Sequence, residues 1–323
     1  MRRAFRLRFE GAMVIAMALD CVLGWPDAFY ARVGHPVGWL GRLIDVLDER
    51  WNRDKDPLWL RRLAGVFAVL LVTGLPSVLG LAVQIGVGSP WSRVLLVGLL
   101  AWPFVALRSL YQHVEAVARP LQSGDVKGAR EAVSMIVGRD PAELDEAGIA
   151  RAAIESLAEN TSDGVIAPLF WGLLFGLPGI VGYKAVNTLD SMIGHRSVRH
   201  EAFGWAAARI DDVANFVPAR LTGLLFALTA AHRGKALACM MADAHTHRSI
   251  NAGWPEAAVA GALLVRLCGP RVYHGVLADE PWLNARARDP EGSDVARALK
   301  LYVRAMLWLG GLLVVLAFVL SRV

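Results

Sequence analysis

Two apolar runs, Leu63 to Val87 and Val94 to Leu107, carry no charge and are separated by the short turn GVGSPWS. Together they predict a helical hairpin in a membrane. Residues 303–320 predict a final span, and Ser293 before Asp294 predicts the N-cap of the helix leading into it. Residues 11–25 follow a basic start and resemble a signal peptide, yet Asp20 interrupts the run and no small-x-small cleavage site follows. They are taken as a short first membrane segment. Trp39, Leu40, Leu43, Ile44, Leu47 and Trp51 recur at helical spacing opposite Asp45, Asp48, Glu49 and Arg50. That pattern predicts an amphipathic helix lying at the membrane interface.

Residues 165–183 are apolar but interrupted by glycine and proline, so a straight crossing and a re-entrant segment both fit. Residues 213–231 carry Asn215, Pro218 and Arg220 inside an apolar stretch. The expected fold is all-α: a polytopic membrane helical bundle with polar helical loops and at least one broken or re-entrant segment. The expected organisation is one membrane-embedded domain over residues 1–323. Its segments fall at about 11–25, 63–87, 94–108, 165–183, 213–231 and 303–320, with a dip at 252–268. Polar helical regions fill 109–163, 184–212 and 232–302, with helix starts at Gly124-Asp125 and Asp140-Pro141.

Composition agrees with this pattern. Of 323 residues, 55% are hydrophobic and 20% charged, against roughly 25% charged in an ordinary soluble domain. A disordered chain, a collagen and a disulfide-stapled mini-protein are thereby excluded. The net charge of +5 comes without basic runs interleaved with aromatics, so it suits loop topology and anionic lipid rather than nucleic acid. Four arginines before residue 9 favour a cytoplasmic N-terminus, though the positive-inside rule does not settle the orientation. If every segment but 252–268 crossed, the opposite side would hold more basic residues, so at least one segment fails to cross. Cys21, Cys239 and Cys268 are isolated and read as packing residues.

Polar clusters interrupt this picture. Glu155, Glu159 and Asp163, with Asn160 between them, stand at i, i+4 and i+8, so one helix face carries three like charges. Either that face is simply solvated, or a cation such as Mg²⁺ compensates it. Lys184, Asn187, Asp190 and Ser191 lie on the next helix, ahead of Gly194-His195-Arg196. Lys184 either snorkels to the interface or joins a phosphate site. Arg209, Asp211 and Asp212 precede Arg220, whose charge within an apolar run costs at least ~2.5 kcal/mol unless paired. Asp212 is a possible partner. A fourth cluster holds His245, His247, Arg248, Ser249, Asn251 and Glu256. Its His-x-His has no third zinc ligand in view, so zinc is the weaker reading there. Asp20 and Arg220 are expected to face the bundle interior.

In order along the chain, these clusters resemble the CobD/CbiB membrane proteins of cobalamin biosynthesis. The matching stretches include ALDCVLGWP, GHPVGWLGRLI, ARAAIESLAENTSDGVIAPLF, YKAVNTLDSMIGH, FGWAAARIDDVANFVPARLT and NAGWPEAAVAGALLVRLCG. Two departures stand out. Gly24-Trp25-Pro26 replaces the usual Gly-Asp-Pro, with Asp27 close by, and Ser249-Ile250-Asn251 replaces Ser-Pro-Asn. The resemblance implies an ATP-dependent ligase joining adenosylcobyric acid to (R)-1-amino-2-propanol or its O-phosphate. ATP and Mg²⁺ would serve as substrate and its metal, and the corrinoid would be a substrate, not a prosthetic group. The expected place is the inner membrane, multi-pass, with the active site on the cytoplasmic side. Homo-oligomerisation or association with other membrane proteins of the pathway stays open.

Residue types, not the family, suggest the roles. Glu155, Glu159, Asn160, Asp163, Asp190 and His245 form the catalytic set. Glu155, Glu159 and Asp163 are the first metal candidates, with Asp190, Asp211 and Asp212 as rivals. Lys184, Asn187, Ser191, Arg196, Arg209, Arg220, Asn251 and Glu256 would bind substrate or phosphate. Alternatives are a transporter built on Asp20 and Arg220, and a non-catalytic membrane sensor. A CDP-alcohol phosphotransferase lacks its paired aspartate pattern here. Because ESLAENTSDG and YKAVNTLDSMIGH flank residues 165–183, that segment is expected to bend back at Gly176-Leu177-Pro178-Gly179.

Overall fold

A computed structural model describes residues 9–137, 144–195, 197–273, 276–278 and 280–322. In chain order the helices are α1 (Phe9–Leu23), α2 (Asp27–Val33), α3 (Pro36–Trp51), α4 (Leu58–Gly86), α5 (Pro90–Ala101), α6 (Leu107–Gln122), α7 (Val126–Ser134), α8 (Glu146–Thr161), α9 (Ala167–Phe175), α10 (Leu177–Leu189), α11 (His200–Phe203), α12 (Trp205–Ala214), α13 (Phe216–Thr229), α14 (Arg233–Asp243), α15 (Gly253–Leu263) and α16 (Gly292–Arg322). Two π-helical turns, Ser162–Ile166 and Asp190–Gly194, follow α8 and α10. The only sheet among the described residues is four short strands: β1 (Leu267–Cys268), β2 (Arg271–Tyr273), β3 (Val276–Ala278) and β4 (Trp282–Leu283). β1 pairs with β4 and β2 with β3, both antiparallel. The fold is all-α, as the hydropathy pattern requires.

Three stretches are long and apolar enough to cross a membrane: Leu58–Gly86, Pro90–Gln122 and Gly292–Arg322. A fourth arises if Phe9–Leu23 and Asp27–Trp51, bent by 105°, count as one. Only 22%, 39% and 17% of the three apolar windows is buried within the protein. Side chains such as Phe67, Leu70 and Val78 on α4, and Leu307, Leu312 and Phe318 on α16, point outward. Apolar surface of that extent calls for lipid rather than water. The 213–231 stretch yields α13, 14 residues and shorter than a span.

The chain divides into two compact units, each described by itself. Unit 1 holds residues 1–106, 167–215 and 312–323. Its core joins Leu40, Ile44 and Leu47 of α3 to Ala68, Val69 and Val72 of α4, Ala185 and Leu189 of α10, and Ala206 and Ala207 of α12. The apolar stripe of α3 thus packs against α4 and α10, while Trp39 and Trp51 at its two ends stay exposed.

Also in unit 1, the 165–183 segment breaks where expected. Gly176 adopts φ 71° and ends α9, and α10 starts at the next residue. The chain reverses, so Gly179 lies against the Trp171 carbonyl and the Phe175 side chain. Buried Gln84 of α4 satisfies the broken backbone. Its Oε1 accepts from the Leu177 N–H at 2.8 Å, and its Nε2 donates to the Phe175 carbonyl at 3.4 Å. Backbone breaks at membrane depth persist only with partners of this kind.

Unit 2 holds residues 107–166 and 216–311. α15 is buried along almost its whole length. The Tyr302 hydroxyl donates to the Leu107 carbonyl at 2.8 Å. The start of α16 is fixed by Asp294, fully buried, which accepts from Arg288, from Arg297 and from the Glu291 N–H. Ser293 lies inside α16 and is exposed, so it is not the expected cap. A carboxylate flanked by two arginines outcompetes a neutral hydroxyl for that position. Asp125 caps α7, as its spacing suggests. Asp145 caps α8, while the expected start at Asp140-Pro141 lies outside the described residues.

Candidate functional site

In unit 1, Lys184, Asn187 and Ser191 follow the turns of α10 and the π turn after it. The Lys184 ammonium donates to Asn187 Oδ1 at 3.1 Å, and the Ser191 hydroxyl donates to the Asn187 carbonyl at 2.8 Å. Asp190 opens that π turn, a rare geometry that recurs at functional positions. Burial pushes its carboxyl pKa up, the negative Asp212 adds to that, and His195 opposes it. A carboxylate raised in this way holds and releases protons closer to neutral pH. Arg209 and Asp212 form an exposed ion pair at 3.4 Å. Asp211 is buried and belongs to a network missed by periodicity alone. The Asn215 amide donates to Asp211 at 3.0 Å, and the Tyr183 hydroxyl donates to Asn215 at 2.8 Å. Asp20 is buried, as a charge on an apolar helix should be. Arg196 lies outside the described residues.

In unit 2 the acidic run of α8 splits by environment. Glu155 is buried and accepts the Cys268 N–H at 2.6 Å. Glu159 is exposed, and Asp163 is half-buried within the π turn. The i, i+4, i+8 spacing puts all three on one face only of an unbroken α-helix, and Asp163 lies instead in the π turn. Asn160 is exposed, its amide donating to the Ser156 carbonyl at 2.9 Å. His245 is exposed on a short 3-10 turn after α14.

The Arg220 guanidinium donates to the Phe216 carbonyl at 2.6 Å and to Asn251 Oδ1 and the Ile250 carbonyl at 3.4 Å each. It also lies 3.5 Å from the Phe216 ring centroid and 4.6 Å from that of Trp254. Within unit 2, these are the partners shown for it. Asn251 is buried beside it, and Glu256 is buried with its Oε2 3.0 Å from the Cys268 thiol.

Among the described residues, one group of three metal-competent side chains lies within mutual reach: His247, Glu256 and Cys268. The carboxylates suited to Mg²⁺ are fewer at any one place. That is compatible with an ion that keeps several waters and takes only one or two protein oxygens beside phosphates. Glu159 and Asp163 offer hard oxygen donors of this kind.

Comparison with known proteins follows the same lines. A family model described as "CobD/Cbib protein" matches residues 13–302. A protein of Rhodobacter capsulatus named "Cobalamin biosynthesis protein CobD" is 61% identical over 300 residues, 93% of this chain and 95% of its own length. Relatives of the same name from Sinorhizobium sp and Brucella suis are 45% and 44% identical, covering 95% and 94% of this chain and 98% and 96% of their own lengths. No solved structure matches.

Proposed function

Because the chain belongs to the CobD/Cbib family, we propose that it is a membrane enzyme of cobalamin biosynthesis, an ATP-dependent ligase making an amide from a corrinoid acid and an amino alcohol. The substrates are adenosylcobyric acid and (R)-1-amino-2-propanol or its O-phosphate. What carries this reading is the 61% identity to a curated cobalamin biosynthesis protein over 93% of the chain.

The chemistry sets the roles. The propionate carboxylate attacks the γ-phosphorus of ATP, ADP leaves, and an acyl phosphate results. The neutral amine then attacks the acyl carbon, phosphate leaves, and the surplus amine proton passes to a base. Mg²⁺, when bound, neutralises charge on the transferring phosphoryl group. In unit 2, Glu159 and Asp163 are assigned to hold it, Asn160 orients substrate, and His245 is one candidate base. Arg220 and Asn251 contact substrate from a surface already set by the Phe216 and Trp254 rings. In unit 1, Lys184, Asn187, Ser191, Arg196 and Arg209 are assigned to phosphate and substrate. There Asp190 is the other candidate base, its raised carboxyl pKa favouring that role. Asp211 and Asp212 remain secondary metal candidates, since their carboxylates already serve Asn215 and Arg209. Glu155 is assigned to hold the Cys268 backbone. The reaction is assigned to the cytoplasmic side of the inner membrane.

The test is a turnover assay on the detergent-purified chain with adenosylcobyric acid, ATP-Mg²⁺ and aminopropanol, with and without its phosphate. Mass spectrometry should show adenosylcobinamide or its phosphate and stoichiometric ADP. Neither product nor ADP under these conditions overturns the ligase reading.

A further inference from the structure

Three side chains from separate parts of unit 2 converge in its interior. His247 follows the short turn after α14, Glu256 lies in the first turn of α15, and Cys268 lies in β1. Glu256 is 3% exposed and Cys268 1%. Glu256 Oε2 lies 3.0 Å from Cys268 Sγ and 3.8 Å from His247 Nε2, and all three donor atoms fall within 4.8 Å of one another. Donors around a tetrahedral zinc, at about 2.3 Å for sulfur and 2.0 Å for nitrogen and oxygen, stand roughly 3.3–3.5 Å apart. The observed spacings bracket that value.

Two further features point the same way. The Ser249 N–H donates to His247 Nδ1 at 3.0 Å, which holds the ring with Nε2 turned toward Glu256 Oε2 at 3.8 Å. Cys268 holds a left-handed backbone at φ 59°, which suits glycine far better than a residue with a side chain. Glu155 pins that backbone through the Cys268 N–H, so the thiol faces the imidazole and the carboxylate despite the strain.

We propose that His247, Glu256 and Cys268 form a metal site for a borderline-soft divalent cation, zinc foremost. The thiolate selects against Mg²⁺ and Ca²⁺, and three protein ligands leave one coordination position for water or a small ligand. On binding, the Cys268 thiol proton is released to solvent as the thiolate–metal bond forms. The site ties the turn after α14 and the start of α15 to β1. It stands apart from the ligase reading and does not depend on it.

The experiment uses the full chain, purified in detergent through a tag without histidines. Zinc content is measured by mass spectrometry after equilibration with zinc and removal of loosely bound metal. The wild type should retain zinc, and its cobalt(II) form should show a thiolate-to-cobalt charge-transfer band. Cys268→Gly relieves the strained backbone, so it folds while losing the sulfur. It should bind zinc on the order of a hundred-fold more weakly and lack the band. His247→Gln should weaken binding while keeping the band. A wild type that holds no more zinc than Cys268→Gly, or a cobalt form without the thiolate band, overturns the proposal.

Discussion

Glu159 and Asp163 differ from their neighbour Glu155 in one physical respect: water reaches them. Glu155 spends its carboxylate on a backbone N–H, whereas Glu159 is exposed and Asp163 half-buried. Glu159→Gln and Asp163→Asn should therefore lower turnover by on the order of a hundred-fold or more, with membrane accumulation unchanged. Near-normal rates for both across Mg²⁺ concentrations would remove them from the metal assignment. Arg220 gives a second test. Arg220→Leu relieves an insertion cost of about 2.5 kcal/mol or more, yet it strips the stack on Phe216 and Trp254 and the bond to buried Asn251. The variant should accumulate at least as well as the wild type and lose activity by on the order of tenfold. Arg220→Lys, which keeps charge without a planar face, should recover only part of it. If Arg220→Leu works normally, the arginine has no part in function.

At the scale of elements, the α9–α10 reversal makes the sharpest prediction. An ideal Cβ on Gly172 lies 3.5 Å from Ile180 Cβ, within disulfide range. In a straight helix those residues would be about 12 Å apart. Gly172→Cys with Ile180→Cys, in a background without other cysteines, should cross-link on mild oxidation once the flexible Met13 side chain shifts. A double variant that stays reduced would mean a straight segment. Pro178 and the flanking glycines made the break legible in the sequence, because they weaken a helix wherever it occurs. The π turns were not legible. Nothing local in SDGVI or DSMIG demands the extra residue per turn, and tertiary packing imposes it. The β1–β4 pairing was hidden for a related reason: two-residue strands have no period to detect.

That pairing is braced by a clamp. Arg266 and Arg151 lie 4.2 and 4.7 Å from the Trp282 ring centroid, and both bond Asp289. Hydrogen bonding from Arg266 first, then from Arg151, holds the Asp289 carboxyl down at about 2. The folded value lies below the ordinary one near 3.9, so the clamp contributes fully above about pH 4. Its contribution is lost as pH falls toward 2. Thermal midpoints should drop across that window, and Asp289→Asn should flatten the drop while lowering the plateau. A wild-type midpoint unchanged between pH 4 and 2 would contradict it.

For the whole molecule, outward apolar side chains on α4 and α16 set where the protein lives. Leu312 is 63% exposed midway along α16, so Leu312→Arg should cost about 2.5–3.5 kcal/mol of insertion and deplete the membrane-bound protein. Undiminished accumulation would mean that this face does not meet lipid. The spans at α4 and α16 were readable because hydropathy alone defines them. The convergence of Glu155, Glu256 and Cys268 was not, since residues 155 and 268 meet across 113 positions of sequence and an isolated cysteine reads as packing. The α9–α10 break also has a consequence in time. Helices of 9 and 13 residues are each too short to settle in lipid alone. The ribosome, however, completes Gln84 93 residues before Leu177, whose N–H that side chain accepts. The side chain that closes the broken backbone is therefore synthesised first, on a helix already made when α9 and α10 emerge.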